Sequence, residues 1–260
     1  MRGTALLALA ACLLLVEPVR PQAGAPTLDE VIARSIAARG GIEKLTAVQT
    51  ARVTGRMSMG SMEIPFTMEW KSPNRVRMSY TTQGETAVRA FDGTSAWLLD
   101  PFRGGPEPER MTGRDTAGMA QEADFLLGPL VDWQKKGHRV RLVGRTEVAG
   151  VPAYDLEISL ENGNVLHDFL DTETFLTVLQ LSTHEQGDQV VEVETAVDNY
   201  RSVDGLMLPF RLKSTLKGAP RGAASQTVTV DAYELGGPIA DDRFAFPAAD
   251  PASGKLPGGR

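Results

Sequence analysis

The sequence predicts a mainly β protein, a strongly curved antiparallel sheet of about eleven strands with short α-helices covering its concave side. Apolar and polar residues alternate over most of the chain, with the two-residue period of half-buried strands. Turn signals such as Asp92-Gly93 and Asn162-Gly163 separate these runs. Helical spacing occurs only in residues 28–48 and 116–134. So large a sheet must curve or close, because open edges and bare apolar faces aggregate.

The N-terminus has the features of a secretory signal peptide. A basic start precedes the apolar run Ala5–Val16, and Ala23-Gly24-Ala25 fits a cleavage pattern. Cleavage after Ala25 would make residues 1–25 the signal peptide of an exported, periplasmic protein. The alternative is a lipobox at Leu9–Cys12, in which Cys12 becomes a lipidated N-terminus that anchors the protein to the membrane.

Composition narrows the possible partners. The 260 residues carry a net charge of −6, which argues against binding to a phosphate backbone, so we expect no nucleic-acid partner. Cys12 is the single cysteine, so a mature chain without it can form neither disulfides nor reactive thiolates. We expect a monomer with one domain over residues 26–247 and a disordered tail over 248–260.

The predicted elements follow the chain in order. Thr27 and Glu30 have the spacing of a capping box, which predicts a helix over 28–39 and a second helical turn over 42–48. Strands are predicted from residue 51 to 99, followed by a loop or mobile flap over 103–114. Residues 116–134 predict two short helices, separated by Pro129. The meander then resumes from residue 140 to 235.

Catalytic and metal sites are not indicated. The sequence has no His-Glu-x-x-His, Gly-x-Ser-x-Gly or phosphate-loop motif. His138, His167 and His184 are dispersed, and the adjacent His167 and Asp168 would point to opposite faces of a strand. We therefore predict a protein that is not an enzyme, with no catalytic residue, metal or cofactor.

Several short motifs resemble the LolA/LolB lipoprotein-localisation family. Lys71-x-Pro73-Asn74, Asp92-Gly93-x-x-x-Trp97 and Pro101-Phe102 match the LolA carrier in type and separation, and Asp242–Pro247 resembles the last strand of that family. Gly40–Leu45 and Tyr200–Pro209 resemble its broader lipoprotein-sorting relatives. The resemblance implies an unclosed β-barrel, lidded by helices, that holds lipoprotein acyl chains in the periplasm. The lipid-sensing domain of RseB shares that fold.

One position departs from the family pattern. In the carrier, an arginine immediately before the Pro-Asn pair latches the lid helices, and Ser72 occupies that position here. Lys71 or Arg75 could replace it, although neither is the matching position. The resemblance therefore implies the lipid-holding barrel but not the gated cycle of capture and release.

The resulting hypothesis is a non-enzymatic carrier that holds lipidated proteins or other lipids in an apolar cleft between sheet and helices. The alternative is an envelope sensor or scaffold that acts through a partner protein. An enzyme would need a polar cluster inside the cleft. The residues predicted to line the cleft are Met57, Phe66, Met68, Trp70, Met78, Val88, Trp97, Leu126, Leu127, Leu130, Leu156, Ile158, Phe169 and Phe210.

Overall fold

A computed structural model of the protein describes residues 24–103, 105, 107–186, 189–217 and 225–247. Cys12, nearly all of the predicted signal peptide and the predicted tail lie outside these residues. The α-helices are α1 (Leu28–Ala38), α2 (Ile42–Ala47) and α3 (Gly113–Glu122). The strands are β1 (Thr50–Met59), β2 (Met62–Lys71), β3 (Arg75–Thr82), β4 (Glu85–Phe91), β5 (Ala96–Leu99), β6 (Glu109–Arg110), β7 (Arg139–Val148), β8 (Val151–Ser159), β9 (Val165–Asp171), β10 (Thr177–Gln186), β11 (Gln189–Val203), β12 (Leu206–Leu216) and β13 (Gln226–Leu235).

All the strands belong to one antiparallel sheet. Its order is β6-β5-β4-β3-β2-β1-β13-β12-β11-β10-β9-β8-β7, which gives thirteen strands within the described residues where about eleven were predicted. Each half of the chain is a meander, and β1 pairs with β13 to join the halves. The sheet does not close, since β6 and β7 are its two edges. The predicted class, a curved and unclosed antiparallel sheet with a few short helices, is confirmed.

Helix α1 begins and ends where local signals place it. The Thr27 hydroxyl accepts the Glu30 N–H at 3.3 Å, and the Glu30 carboxylate accepts the Thr27 N–H at 2.8 Å, which completes the predicted capping box. Gly40 follows the helix at a φ of 118°, and a Cβ there would lie 2.5 Å from the Gly205 carbonyl oxygen. Both the backbone conformation and the close approach therefore require glycine.

Replacing Thr27 with alanine is expected to lower the free energy of unfolding by about 1 kcal/mol, because the Glu30 N–H loses its acceptor. Urea denaturation followed by tryptophan fluorescence measures this change. Thr27→Ser keeps the hydroxyl and should remain within about 0.5 kcal/mol of wild type. Equal losses in the two variants would contradict the capping role.

The segment between the two meanders differs from its prediction. Residues 109–110 form β6, which pairs with β5, so the predicted loop contains a short edge strand. Helix α3 ends at Glu122, and turns rather than a second helix follow to residue 137. Gly128, at a φ of 71°, and Asp132, at 53°, leave the helical region on either side of Pro129. No described helix has the length and apolar character needed to cross a bilayer.

Residues 236–247, which follow β13 and which we call the C-terminal segment, pack on β2 to β5 on the face of the sheet opposite the helices. Residues 241–243 form a 3₁₀ turn, not the strand that the resemblance suggested, and Phe244 is fully buried. The turn is fastened by Glu69, a nearly buried carboxylate that accepts from Arg243 at 2.7 Å and from Arg52 at 3.2 Å. Burial opposes the charge of Glu69, but these bonds lower its pKa.

Candidate functional site

The strand register divides the sheet into a concave face and an outer face. Phe66, Met68 and Trp70 of β2 pair with Tyr80, Met78 and Val76 of β3, so all six side chains share one face. This face packs against α1, α3 and the turns after α3, and we call it the concave face. The opposite face, beneath the C-terminal segment, is the outer face.

Two elements cover the concave face at different places. Val31 and Ile32 of α1 pack on Leu156, Ile158 and Leu170 of β8 and β9. At the other side, residues 113–137 form what we call the covering segment, made of α3 and the turns that follow. Its Met119 packs among Val76 and Phe91 of β3 and β4.

Trp70 fixes the covering segment to the sheet. Its side chain is only 1% exposed, and its indole N–H donates to the Ala123 carbonyl at 2.7 Å. Leu126 and Val131 of the segment join Trp70 in the same buried cluster, as does Leu206. A buried indole needs such a partner for its N–H. Trp70 thus supplies both apolar contact and a directional bond.

Arg39, directly after α1, provides a second attachment. Its guanidinium donates to the carbonyl oxygens of Leu127, at 2.8 Å, and of Leu126. Burial lowers the pKa of Arg39, while the negative charge of Asp168 opposes that effect. An arginine therefore does hold the covering segment, but it lies at the C-terminal end of the first helix, far in sequence from Ser72.

The two proposed substitutes for the missing latch do something else. Lys71 and Arg75 both contact the carboxylate of Asp241, each at 2.6 Å, and Lys71 also donates to the Ile239 carbonyl at 2.8 Å. They therefore attach the C-terminal segment and not the covering segment. The sequence could not reveal Arg39, because its partners are main-chain carbonyls 87 and 88 residues away.

Most residues predicted for the cleft lie at the interface between the concave face and its cover, and the sheet contributes eight of them. These eight are Met57, Phe66, Met68, Trp70, Met78, Leu156, Ile158 and Phe210. Leu126, Leu127 and Leu130 of the covering segment face them, Leu130 within the cluster that α1 forms on β8. Whether any of them binds a ligand remains a prediction.

Three predicted residues lie on the outer face instead. Val88 pairs with Ser79, and it packs together with Trp97 near Phe246 of the C-terminal segment. Phe169 stacks on His167, with ring centroids 6.1 Å apart. The prediction placed them in the cleft because they are apolar, but apolar character alone does not identify the face: the C-terminal segment packs on Val88 and Trp97, and Phe169 stacks on a neighbouring ring of the outer face.

Side chains fill the space beneath the covering segment. Leu126 and Val131 are fully buried, and Met119 is 2% exposed. Two surface cavities lie elsewhere, one of about 320 Å³ beside Arg77 and Trp97 and one of about 520 Å³ beside Lys44. The predicted apolar cleft is therefore closed where the cover lies, and a ligand there would have to displace it.

The concave face is open at the far ends of β1, β2, β12 and β13. Met59 is 46% exposed, Met62 54% and Leu216 47%, while Met57 is partly exposed. Methionine is flexible and polarizable, which suits surfaces that accept variable apolar shapes. This open apolar floor, continuous with the buried core, is the candidate binding surface.

The concave face also contains an ionisable group that the sequence did not identify as important. Asp168 is 4% exposed, and its Oδ1 has no hydrogen-bond partner in the described part of the chain. Burial raises the pKa of Asp168 to about 6. Hydrogen bonds from the side chains of Thr177 and Gln180 and the positive charge of Arg39 act in the opposite direction. The burial of Asp168 could have been predicted only if the register of the sheet were known.

A histidine–carboxylate pair is present, but outside the cleft. His167 Nδ1 lies 2.7 Å from Asp155, and Nε2 lies 3.9 Å from Glu157, both on the outer face. His167 and Asp168 do point to opposite faces, as predicted. Within the described ranges, His, Cys, Asp and Glu side chains form no group of three that could hold a metal ion.

Comparison with known proteins finds similarity in structure only, since no family model and no curated protein matches the sequence. A LolA superfamily protein from Nitrosomonas europaea aligns with a TM-score of 0.56 at 11% identity, over 85% of this chain and 98% of its own. This chain has the fold of the LolA superfamily. A DUF1329 family protein from Desulfovibrio piger gives a TM-score of 0.57 at 12% identity, covering 84% of this chain and 97% of its own.

A third neighbour of the LolA-type fold is a domain from Vibrio parahaemolyticus assigned to outer membrane lipoprotein sorting. It aligns with a TM-score of 0.55 at 12% identity, over 83% of this chain and 94% of its own. These alignments cover both meanders. At such identities they establish the architecture and leave the ligand to be argued from the residues of this chain.

Proposed function

We propose that the protein is a non-enzymatic carrier in the periplasm that binds the acyl chains of lipidated proteins or other lipids on its concave face. The observation that carries this proposal is the open apolar floor at Met57, Met59 and Met62, which continues into the packed interface beneath the covering segment. The LolA-type fold of the neighbours supports the same use of the sheet.

Burial of an acyl chain is large enough in energy to offset the hydrogen bonds that attach the cover. Each buried methylene contributes about 0.8 kcal/mol, so ten would contribute roughly 8 kcal/mol before binding costs. The hydrogen bonds of Trp70 and Arg39 to the covering segment are few, and each contributes about 1–3 kcal/mol. An acyl chain can therefore offset the loss of these attachments if it replaces the apolar contacts of the segment.

Native mass spectrometry of protein purified from its own cell envelope tests the proposal. We expect a co-purifying lipid or acylated peptide, and displacement of a fluorescent fatty-acid probe by lipid in solution. A clean protein mass, together with no probe binding, would overturn the proposal.

Replacing Met57, Met59 and Met62 together with glutamine is expected to weaken binding of the fatty-acid probe about tenfold, because an acyl chain loses three apolar contacts. The side chains are partly or largely exposed, so the fold should persist. Met207→Gln, a change in β12 on the outer face, is the matched control and should bind the probe like wild type. Equal affinity of the triple variant and wild type would exclude this surface.

A further inference from the structure

A row of five polar side chains crosses the concave face on five neighbouring strands. The register pairs Asp168 with Gln180, Gln180 with Thr195, Thr195 with Ser214 and Ser214 with Gln226. Directly paired residues of antiparallel strands point to the same side of the sheet. We call these five residues the polar row.

The buried end of the polar row fixes its face. Asp168 pairs with Leu156, which packs beneath α1, so the row lies on the concave side. At the other end Gln226 pairs with Met59, which in turn pairs with Met62 at the open apolar floor. The row therefore runs from a buried carboxylate to the surface proposed to bind acyl chains.

Apolar residues flank the polar row. Val197, Leu212 and Val228 each lie two residues along their strand from a member of the polar row. They pair with one another in turn, and Val228 pairs with Met57, so these four residues form a parallel row that is apolar throughout. A polar band beside an apolar band matches an amphiphile better than a bare hydrocarbon. A strand face that was merely solvated would not bury Asp168 at 4% exposure.

The atom without a hydrogen-bond partner at the end of the polar row indicates which chemical group of a ligand would bind there. Asp168 Oδ1 is buried without a hydrogen-bond partner in the described residues, and such an acceptor costs about 1–3 kcal/mol unless a donor reaches it. Arg39 already supplies a positive charge nearby. A further cation is therefore not required, and a neutral donor such as a hydroxyl group fits best.

The middle of the row has the same character. Thr195 and Ser214 lie 2.9 Å apart and share one hydrogen bond, so each retains further capacity to donate or accept. Gln180, Thr195, Ser214 and Gln226 are all partly exposed and uncharged. Side chains of this type bind hydroxyl-rich groups without selecting a charge.

From this arrangement we propose that the polar row binds a neutral, hydroxyl-bearing head group of an amphiphile whose alkyl chain lies on the adjacent apolar floor. The inference rests on the proposed function and specifies its ligand class, a lipid with a sugar or polyol head.

Two detergents with the same dodecyl chain test the inference. Dodecyl maltoside carries many hydroxyl donors, whereas dodecyldimethylamine oxide is neutral overall and has none. Isothermal titration below the critical micelle concentrations should show the maltoside binding about tenfold more tightly, as one or two additional net hydrogen bonds allow. In Thr195→Val/Ser214→Ala this preference should fall below about twofold.

Thr67→Val/Ser79→Ala is the matched control, because Thr67 of β2 pairs with Ser79 of β3 and both side chains lie on the outer face. It should keep the preference for the maltoside. Should Thr195→Val/Ser214→Ala fail to fold, Gln226→Leu at the open end takes its place and should lower the preference about threefold.

The outcomes separate the two proposals. If neither detergent binds, the proposed carrier function fails. If both bind with equal affinity, or if the preference survives in Thr195→Val/Ser214→Ala, the polar row is not a head-group site, while the carrier function stands.

Discussion

Replacing Arg39 with methionine is expected to lower the free energy of unfolding by about 3 kcal/mol. The guanidinium donates to the carbonyl oxygens of Leu126 and Leu127, and its charge opposes that of Asp168. Methionine preserves much of the apolar stem but removes both donors and the charge. Two partly buried carbonyl oxygens then lose their hydrogen-bond donors, and the buried carboxylate of Asp168 loses a nearby positive charge.

Urea denaturation near neutral pH measures this loss. Arg34→Met is the control, because Arg34 lies on α1, the helix that Arg39 follows, and its guanidinium lies over the Phe175 ring at 5.2 Å, an interaction of roughly 0.5–1 kcal/mol. Similar losses for the two variants would show that Arg39 does not hold the covering segment.

The coupling of Arg39 to Asp168 can be measured separately. The double variant Arg39→Met/Asp168→Asn should be more stable than the single variant Arg39→Met, since the carboxylate left without its cation is gone. Strict additivity of the two single changes would mean that the charges do not interact.

Replacing Asp168 with asparagine is expected to raise the free energy of unfolding by roughly 2–3 kcal/mol above about pH 7 and to change it little near pH 4. The pKa of Asp168 is raised from 3.8 to about 6 in the folded protein, chiefly by burial. The folded state therefore binds the proton more tightly than the unfolded chain. Stability contributed by the protonated group is lost as the pH rises from 4 through 6.

Asp171→Asn provides a control of opposite sign on the same strand. Although burial acts against it, hydrogen bonds from the Thr174 and Glu173 N–H groups lower the pKa of Asp171. That carboxylate stabilises the fold above its ordinary pKa, and the contribution is lost as the pH falls. A difference between wild type and Asp168→Asn that is independent of pH would contradict the proposed burial effect.

The cost of an ionised Asp168 has a functional interpretation. A buried, ionised acceptor without a partner destabilises the free protein, and removal of its charge in Asp168→Asn would stabilise it. Groups that lower stability in this way are concentrated at binding sites, where a ligand supplies the missing partner. The Asp168→Asn variant should therefore gain stability while losing part of the preference for the hydroxyl-bearing detergent.

Local signals in the sequence were sufficient for many elements. The capping box at Thr27, the turn at Asn162-Gly163 and the two-residue periods predicted α1, the β8–β9 hairpin and most strands. Each depends on residues within a few positions of one another, so a linear reading can detect it. The second helix predicted after Pro129 was wrong, because Gly128 and Asp132 take positive φ angles on either side of the proline and turns continue to residue 137.

The sequence alone determined an antiparallel, curved β protein with a short helical cover and many apolar strand residues. Tertiary structure decided which face each residue occupies, since the C-terminal segment buries the outer face around Val88 and Trp97. It also decided that Arg39 holds the cover and that Asp168 to Gln226 form one row. Those relations depend on the register of strands distant in sequence, and no local period encodes that register.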